Sequence, residues 1–474
     1  MTSSRINPVD AGSLSRASSD TVSPAPLVMK FGGTSVQDAP SMCDVVRVVA
    51  WEQERSGAER IVVVTSACAG ITDLLLRTAR AAGAGSGEEA RACVASITER
   101  HCSILAELGA PGNADASNLL DATLWELAQL AEGVLLVGEL TPRTLDRFAS
   151  FGELLSSILL TAAFAGRGHR CCRADSRTAI ITNRRYTEAA PLSEEIARRA
   201  PDVFLPLFGD AEIVVAQGFI GSTLDGETTT IGRGGSDYTA ALLGAALDAP
   251  EIQIWTDVSG ILTTDPRLVP AARTVPEVTF GEARELARFG AKVLHPDTIL
   301  PAVERSIPVV VRNTKRQEDA GTRILPDSAE IGRGAHAIAL KRGLVRARFS
   351  AGRQFSTALA RLAEHGVEPL VAHLVDGGGT MLLEAADSTV RLILESSGAT
   401  AFEPGIALLC VVGPDLPHDP VTLSRALSSL PHVVSVTAGH SRYGLLLTLP
   451  DAEALSGLAA LHTVLFEADG SSPC

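Results

Sequence analysis

Thr228-Thr229-Thr230-Ile231-Gly232-Arg233-Gly234-Gly235-Ser236-Asp237-Tyr238-Thr239-Ala240 places three glycines within four residues, just ahead of an Ala- and Leu-rich run to Leu247 that reads as a helix. Glycines let backbone amides approach a ligand unobstructed, and a helix starting here turns its free N–H groups and positive dipole end toward the loop. Ser236 is the expected N-cap. Arg233 offers a planar fork for a carboxylate or phosphate, and Asp237 a carboxylate that can orient a cation. The stretch reads as an anion cradle.

Working outward, the same grammar recurs. Leu27-Val28-Met29-Lys30-Phe31 is a short buried-strand pattern running into Gly32-Gly33-Thr34-Ser35, with Lys30 at the strand end as a phosphate contact. Its lysine precedes the glycines, so this is not a Walker A loop. Arg60–Ser66 is a second strand, followed by the small-residue turn Ala67–Asp73, with Ser66 and Thr72 at either side. Glu88–Leu140 reads as helical scaffold, and Thr144–Phe164 as a helix carrying Phe151-Gly152-Glu153. Glu212–Ser222 is a strand leading to a hairpin through Asp225-Gly226. Glu251–Val258 is another, ending in Thr256-Asp257, and Gly260–Arg267 reads as a nucleotide-edge loop. Phe289–Pro296 sets Lys292 at a helix end, and Ile307–Arg312 is a further buried strand. Alternating strands and helices predict an α/β fold, a mostly parallel sheet sandwiched between helices with ligand groups at strand C-termini.

After Gly321 the pattern changes. Strand (Ala337–Phe349), helix (Phe355–His365), strand (Pro369–Val375), turn (Gly377-Gly378-Gly379) and strand (Thr380–Glu384) are followed by strand (Ile406–Val412), helix (Val421–Leu430), strands (Val433–Gly439, Gly444–Leu449) and helix (Ala452–Phe466). This is an internal repeat of a βαββ(α) unit of the kind found in ligand-sensing modules.

Composition narrows the function. The chain has 474 residues, 46% hydrophobic, and a net charge of -14 from 41 basic and 55 acidic side chains, which argues against nucleic-acid binding. Eight cysteines without metal-ligand spacing read as free thiols of a reducing compartment. No uninterrupted apolar run reads as a membrane span, and residues 1–25 read as a disordered leader. A cytoplasmic protein is expected.

Together, Lys30–Ser35, Ser66–Thr72, Phe151-Gly152-Glu153, Gln217–Gly221, Thr230–Ala240, Thr256-Asp257, Thr264-Asp265-Pro266-Arg267 and Phe289–Pro296 resemble the aspartate kinases of the amino acid kinase superfamily, closest to the lysine-sensitive single-function type. The likeness is strong over residues 26–325 and weaker beyond. It implies a catalytic domain at 26–325 and a regulatory region at 326–474 made of two α+β, ferredoxin-type ACT modules (about 337–400 and 403–474). It also implies ATP and Mg²⁺ as cofactors and phosphorylation of the L-aspartate β-carboxylate to 4-phospho-L-aspartate, the first step of lysine, threonine and methionine biosynthesis. In such an enzyme Lys30, Asp237 and Gly33 are catalytic. Ser66, Thr72, Glu153, Phe219, Arg233 and Ser236 bind substrate. Lys30, Gly32, Gly33, Thr256, Asp257, Leu262, Arg267 and Lys292 bind the nucleotide, and no residue is a dedicated metal ligand. A homodimer or homotetramer through the ACT-like modules is implied, with no nucleic-acid or membrane partner.

The chemistry of the residues is compatible with this. A carboxylate nucleophile, with a reference pKa of about 3.9, is ionised at neutral pH and needs no general base. It needs alignment and charge neutralisation at the transferred phosphoryl group, which lysine, amide nests and a metal supply. Two departures stand out: Leu262 replaces the usual aromatic of the nucleotide loop, and the first repeat carries Arg346, Arg348, Ser350 and Gly377–Gly379 in place of a lysine-binding polar signature. The rival readings are a kinase for glutamate-like acids and a catalytically inactive amino-acid sensor. Glu153 and Arg233 suit a free amino acid carrying both charges, so an acetylglutamate kinase fits less well, since an acetylated amine gains nothing from a carboxylate. A sensor would have no need of Lys30, Asp237 and Lys292.

Overall fold

The computed structural model describes residues 24–109, 114–232, 234–290, 296–375, 377–384 and 388–467. The leader expected at 1–25 lies almost wholly outside these residues, as do Arg233 and Lys292. Among the described residues, ten strands precede residue 330: β1 (Leu27–Phe31), β2 (Ile61–Thr65), β3 (Cys171–Arg173), β4 (Ile213–Gln217), β5 (Ile220–Ser222), β6 (Thr228–Thr230), β7 (Ile252–Thr256), β8 (Glu277–Thr279), β9 (Val309–Asn313) and β10 (Thr322–Leu325). Eight form one sheet in the order β3-β4-β2-β1-β7-β9-β10-β8, parallel except where β10 runs against β9. β5 and β6 make the expected hairpin around Asp225-Gly226.

β1, β2, β4 and β9 are buried along their whole length, so they read as unbroken apolar runs rather than as alternation. Over one face lie α1 (Ala39–Ser56), α2 (Ile71–Gly83), α3 (Gly87–Glu107), α4 (Ala114–Val137) and α5 (Pro142–Ala165), packed on Met29, Phe31, Val63 and Val215. Over the other lie α6 (Ser193–Phe204), α7 (Gly235–Ala246), α8 (Phe280–Arg288) and α9 (Leu300–Glu304), packed on Val28, Val62, Val214 and Val311.

α5 is by length and composition apolar enough to cross a membrane, although Glu153 interrupts its apolar run, and it is the interior helix of the fold, buried without a break from Phe148 to Leu160. Glu153 is buried with it. Ser236 is not the N-cap of α7: the helix starts at Gly235, and Gly234 caps it at φ +73°. A residue with no Cβ takes that left-handed conformation at little cost, so the chain reverses earlier than hydroxyl capping would place it.

The C-terminal region contains β11 (Ala337–Phe349), α10 (Gly352–Glu364), β12 (Val371–Val375), β13 (Gly378–Leu383), α11 (Ser388–Ser396), β14 (Ala399–Val412), α12 (Pro420–Ser429), β15 (Ser435–Ala438), β16 (Gly444–Pro450) and α13 (Ala454–His462). The repeat is present, but its strands share one antiparallel sheet, in the order β12-β13-β11-β14-β16-β15. Gly378 and Gly379, expected in a turn, begin β13. β11 and β14 pair along most of their length, with the register shifting near Gly343 and Gly405, both at positive φ. Beyond the shift Val345–Phe349 joins β13, while Ile406–Val412 joins β16. Helices α10 and α11 enclose one core with Phe349 and Met381, and α12 and α13 another with Leu409 and Leu447.

The opposite face of this sheet packs on α8, where Leu408, Cys410 and Leu446 join the core of Phe280 and Leu286. Two His–Glu hydrogen bonds border the contact: His336 Nδ1 lies 2.7 Å from Glu282 Oε1 and His440 Nε2 3.1 Å from Glu285 Oε2.

Candidate active site

The strand ends of the large sheet are tied into one rim by backbone hydrogen bonds. Gly32 N–H donates to Trp255 O at 3.2 Å, Ser66 N–H to Phe31 O at 3.2 Å and Gly218 N–H to Thr65 O at 2.8 Å. Gly33 is required by close approach, because a Cβ there would stand 2.7 Å from Ala67 O. The turn after β2 is held from outside, where Arg100 donates to Ala69 O at 2.9 Å and to Gln37 O at 3.0 Å.

Against this rim the sheet, α5 and the start of α7 enclose a cavity of about 400 Å³ lined by Lys30, Ser66, Thr72, Glu153, Phe219, Gly232, Gly234, Gly235, Ser236 and Asp237. Residues far apart in sequence converge as the strand-end reading predicted. Lys30 Nζ sits 2.6 Å from Asp237 Oδ1, both side chains mostly buried, and the approach is too oblique for a well-aligned hydrogen bond. A lysine so placed is held at the end of β1 with its charge countered from α7.

Glu153 forms the other wall. Ala67 N–H donates to its Oε1 at 3.1 Å, while Oε2 is buried with no hydrogen-bond partner. Burial pushes this carboxyl up to about 8, opposed only in part by the Ala67 amide. The pocket therefore holds an acid that is costly to ionise until a cation arrives beside it. Phe219 lines the cavity from a left-handed backbone, φ +64°, locked by Thr239: Phe219 N–H donates to Thr239 Oγ1 at 3.0 Å, which in turn donates to Gly235 O at 2.8 Å. Cys68, in the adjoining turn, has its thiol pushed up to about 12 by burial and is no nucleophile at neutral pH.

Of the residues expected from sequence, Lys30, Ser66, Thr72, Glu153, Phe219, Ser236 and Asp237 share the cavity, with Gly32 and Gly33 in the rim. Thr256 and Asp257 lie at the neighbouring end of β7, where Thr314 N–H donates to Thr256 O at 2.9 Å and Ser35 Oγ meets Thr314 Oγ1 at 2.9 Å. Leu262 and Arg267 are not brought into the cavity: Leu262 bridges to Thr274, and Arg267 is exposed, its guanidinium 2.6 Å from Asp265. Sequence reading overlooked Arg100, Thr239, Thr314 and Asp146 as site supports. Only Asp146, a carboxylate in an apolar helix one heptad before Glu153, left a visible signal.

Fold and site together define a small-molecule kinase of the α/β type. The model of the amino acid kinase family matches residues 25–313. Lysine-sensitive aspartokinase 3 of Escherichia coli is 35% identical over 93% of this chain and 99% of its own length, and aspartokinase 1, chloroplastic, of Arabidopsis thaliana is 32% identical over 93% and 80%. The crystal structure of E. coli aspartokinase III with aspartate and ADP, described as an R-state, superposes with a TM-score of 0.76 at 32% identity, covering 93% of this chain and all of that one. Its T-state complex with lysine and aspartate gives 0.79. The chain belongs to the amino acid kinase family, among its aspartokinases.

Proposed function

We infer that this enzyme transfers the γ-phosphoryl group of ATP to the β-carboxylate of L-aspartate, giving 4-phospho-L-aspartate, and that the cavity between Lys30, Glu153 and Asp237 is where it does so. The observation that carries the placement is the unpartnered, buried Oε2 of Glu153, in a side chain that lines one cavity with the cradle glycines and the ion-paired Lys30. A substrate with an ammonium group supplies the missing partner, and one with an acid group at the other end meets the cradle and Lys30.

In this reading Glu153 receives the α-ammonium, Arg233 the α-carboxylate, and Ser66, Thr72, Phe219 and Ser236 shape the pocket. Lys30 and the Gly33 amide neutralise charge on the transferred phosphoryl group, and Asp237 holds Lys30 in place. The β-carboxylate attacks directly, without a proton to remove. Thr256, Asp257, Leu262, Arg267 and Lys292 receive the nucleotide along the neighbouring rim, Arg267 by leaving Asp265. Mg²⁺ would supply further neutralisation on the phosphates. Among the described residues no group of three or more His, Cys, Asp or Glu could hold a metal, so the phosphates would provide most of its ligands.

Residues 26–325 form the catalytic unit and 326–474 the regulatory one. Lysine is the effector to test first, because the E. coli relative is lysine-sensitive, and activity that does not respond to lysine would remove that part of the reading. The exposed edges of the C-terminal sheet favour a homodimer or homotetramer, and a cytoplasmic location suits an enzyme drawing on ATP and free aspartate. The 4-phospho-L-aspartate would feed lysine, threonine and methionine biosynthesis.

The test is acyl-phosphate trapping with hydroxylamine in the presence of ATP and Mg²⁺, comparing L-aspartate, L-glutamate and N-acetyl-L-glutamate. Hydroxamate from aspartate is expected. Product from either glutamate substrate instead would transfer the reading to another acidic substrate.

A further inference from the structure

Asp146 is 1% exposed and stands on α5 seven residues before Glu153, on the same helix face. Its carboxylate takes three donors. Thr187 N–H reaches its two oxygens at 2.9 and 3.0 Å, Thr230 N–H donates at 3.1 Å and the Thr230 hydroxyl at 2.7 Å. These donors belong to two segments that flank the cradle. Thr230 ends β6, two residues before Gly232, and Ala189 N–H donates to Thr230 O at 2.9 Å. Thr187 holds a left-handed backbone at φ +73°, and its carbonyl oxygen lies 3.6 Å from where a Cβ on Gly232 would stand.

One helix thus carries both the carboxylate that faces the cavity and the carboxylate that grips the near end of the loop opposite. We propose that Asp146 is a positioning residue for the aspartate site, setting the distance between Glu153 and the Gly232–Asp237 cradle by anchoring Thr187 and Thr230. This deepens the aspartate reading and rests on it. Asn is nearly isosteric with Asp, but one of its two terminal atoms is an amide nitrogen, which would face an N–H donor and repel it. The cradle would then settle farther from α5. A ligand bridging both walls loses more than one bound along the nucleotide rim.

Steady-state kinetics of the full chain, with aspartate and ATP varied separately, test this in Asp146→Asn, Thr230→Val and Thr230→Ser. Asp146→Asn is expected to raise the KM for aspartate roughly tenfold or more with little change in the KM for ATP. Thr230→Val, which removes only the hydroxyl donor, shifts aspartate KM in the same direction by less, and Thr230→Ser restores it. If Asp146→Asn does not fold, the two Thr230 variants carry the comparison. Wild-type aspartate KM in Asp146→Asn, or in Thr230→Val alone where Asp146→Asn does not fold, overturns the proposal and leaves the aspartate reading standing. The same follows if aspartate and ATP KM rise in proportion. A wild-type chain that makes no aspartyl hydroxamate overturns both.

Discussion

The two walls of the cavity handle charge in opposite ways. Lys30 and Asp237 neutralise one another at 2.6 Å before any ligand arrives, whereas Glu153 is buried with one oxygen unpartnered and its pKa raised to about 8. The paired wall is preorganised, so its contribution goes to the charge that develops during transfer. The unpaired wall gains only when a cation enters, so its contribution goes to recognition. The proposed reading thereby assigns chemistry and selectivity to different residues, and kcat and KM can separate them.

The largest effect should come from the paired wall. Lys30→Met or Asp237→Asn is expected to lower kcat roughly 10²–10³-fold with a smaller change in aspartate KM, read by hydroxamate formation. A change confined to KM would erase the contrast. Next, Glu153→Gln should raise the KM for aspartate about 10–100-fold while kcat falls less, since hydrogen bonds to charged groups are worth about 1.5–3 kcal/mol.

Glu153 also sharpens the comparison through pH. In the free enzyme burial holds its carboxyl protonated up to about pH 8, and in the proposed reading the aspartate ammonium binds the ionised form. The KM for aspartate should therefore fall as pH rises toward 8, by at most about tenfold per unit, and level off above, with Glu153→Gln flat. Stability runs the other way. The folded pKa exceeds the unfolded one, so this group's contribution is complete below the ordinary carboxylate range and is lost as pH rises through about 8. The Tm of Glu153→Gln should gain on wild type across that window.

Smaller effects follow away from the walls. Arg100→Ala frees the Ala69 and Gln37 carbonyls that shape the turn beside the cavity, and a several-fold loss of kcat/KM for aspartate is expected. Arg267→Ala should raise the KM for ATP a few-fold and leave aspartate untouched. A large effect there would mean that the exposed Arg267–Asp265 pair opens fully onto the nucleotide.

Much of this was legible in the sequence because parallel strands leave continuous apolar runs and their ligand turns leave glycines. Lys30, Ser66, Thr72, Ser236 and Asp237 could be placed by that grammar, whereas Glu153, in the middle of a helix, and Phe219 came to the pocket through the family resemblance. What escaped was set by contacts distant in sequence. No local pattern shows that Arg100 reaches two carbonyls, or that Thr239 holds Phe219 in a left-handed backbone. Ser236 was misread because hydroxyl capping competes with the freedom of the glycine before it. The C-terminal repeat was visible as a rhythm of elements, but pairing partners are not, so the merging of its strands into one sheet was not foreseen.

That merging has an evolutionary and practical consequence. β11 and β14 each give one stretch to the neighbours of either repeat, so the halves are woven rather than strung in series. A chain cut between 400 and 403 would strip each fragment of a central strand, leaving sticky half-sheets instead of two portable modules. Recombination or gene fusion would be expected to move this region as a whole, and two co-expressed pieces should find one another rather than persist alone.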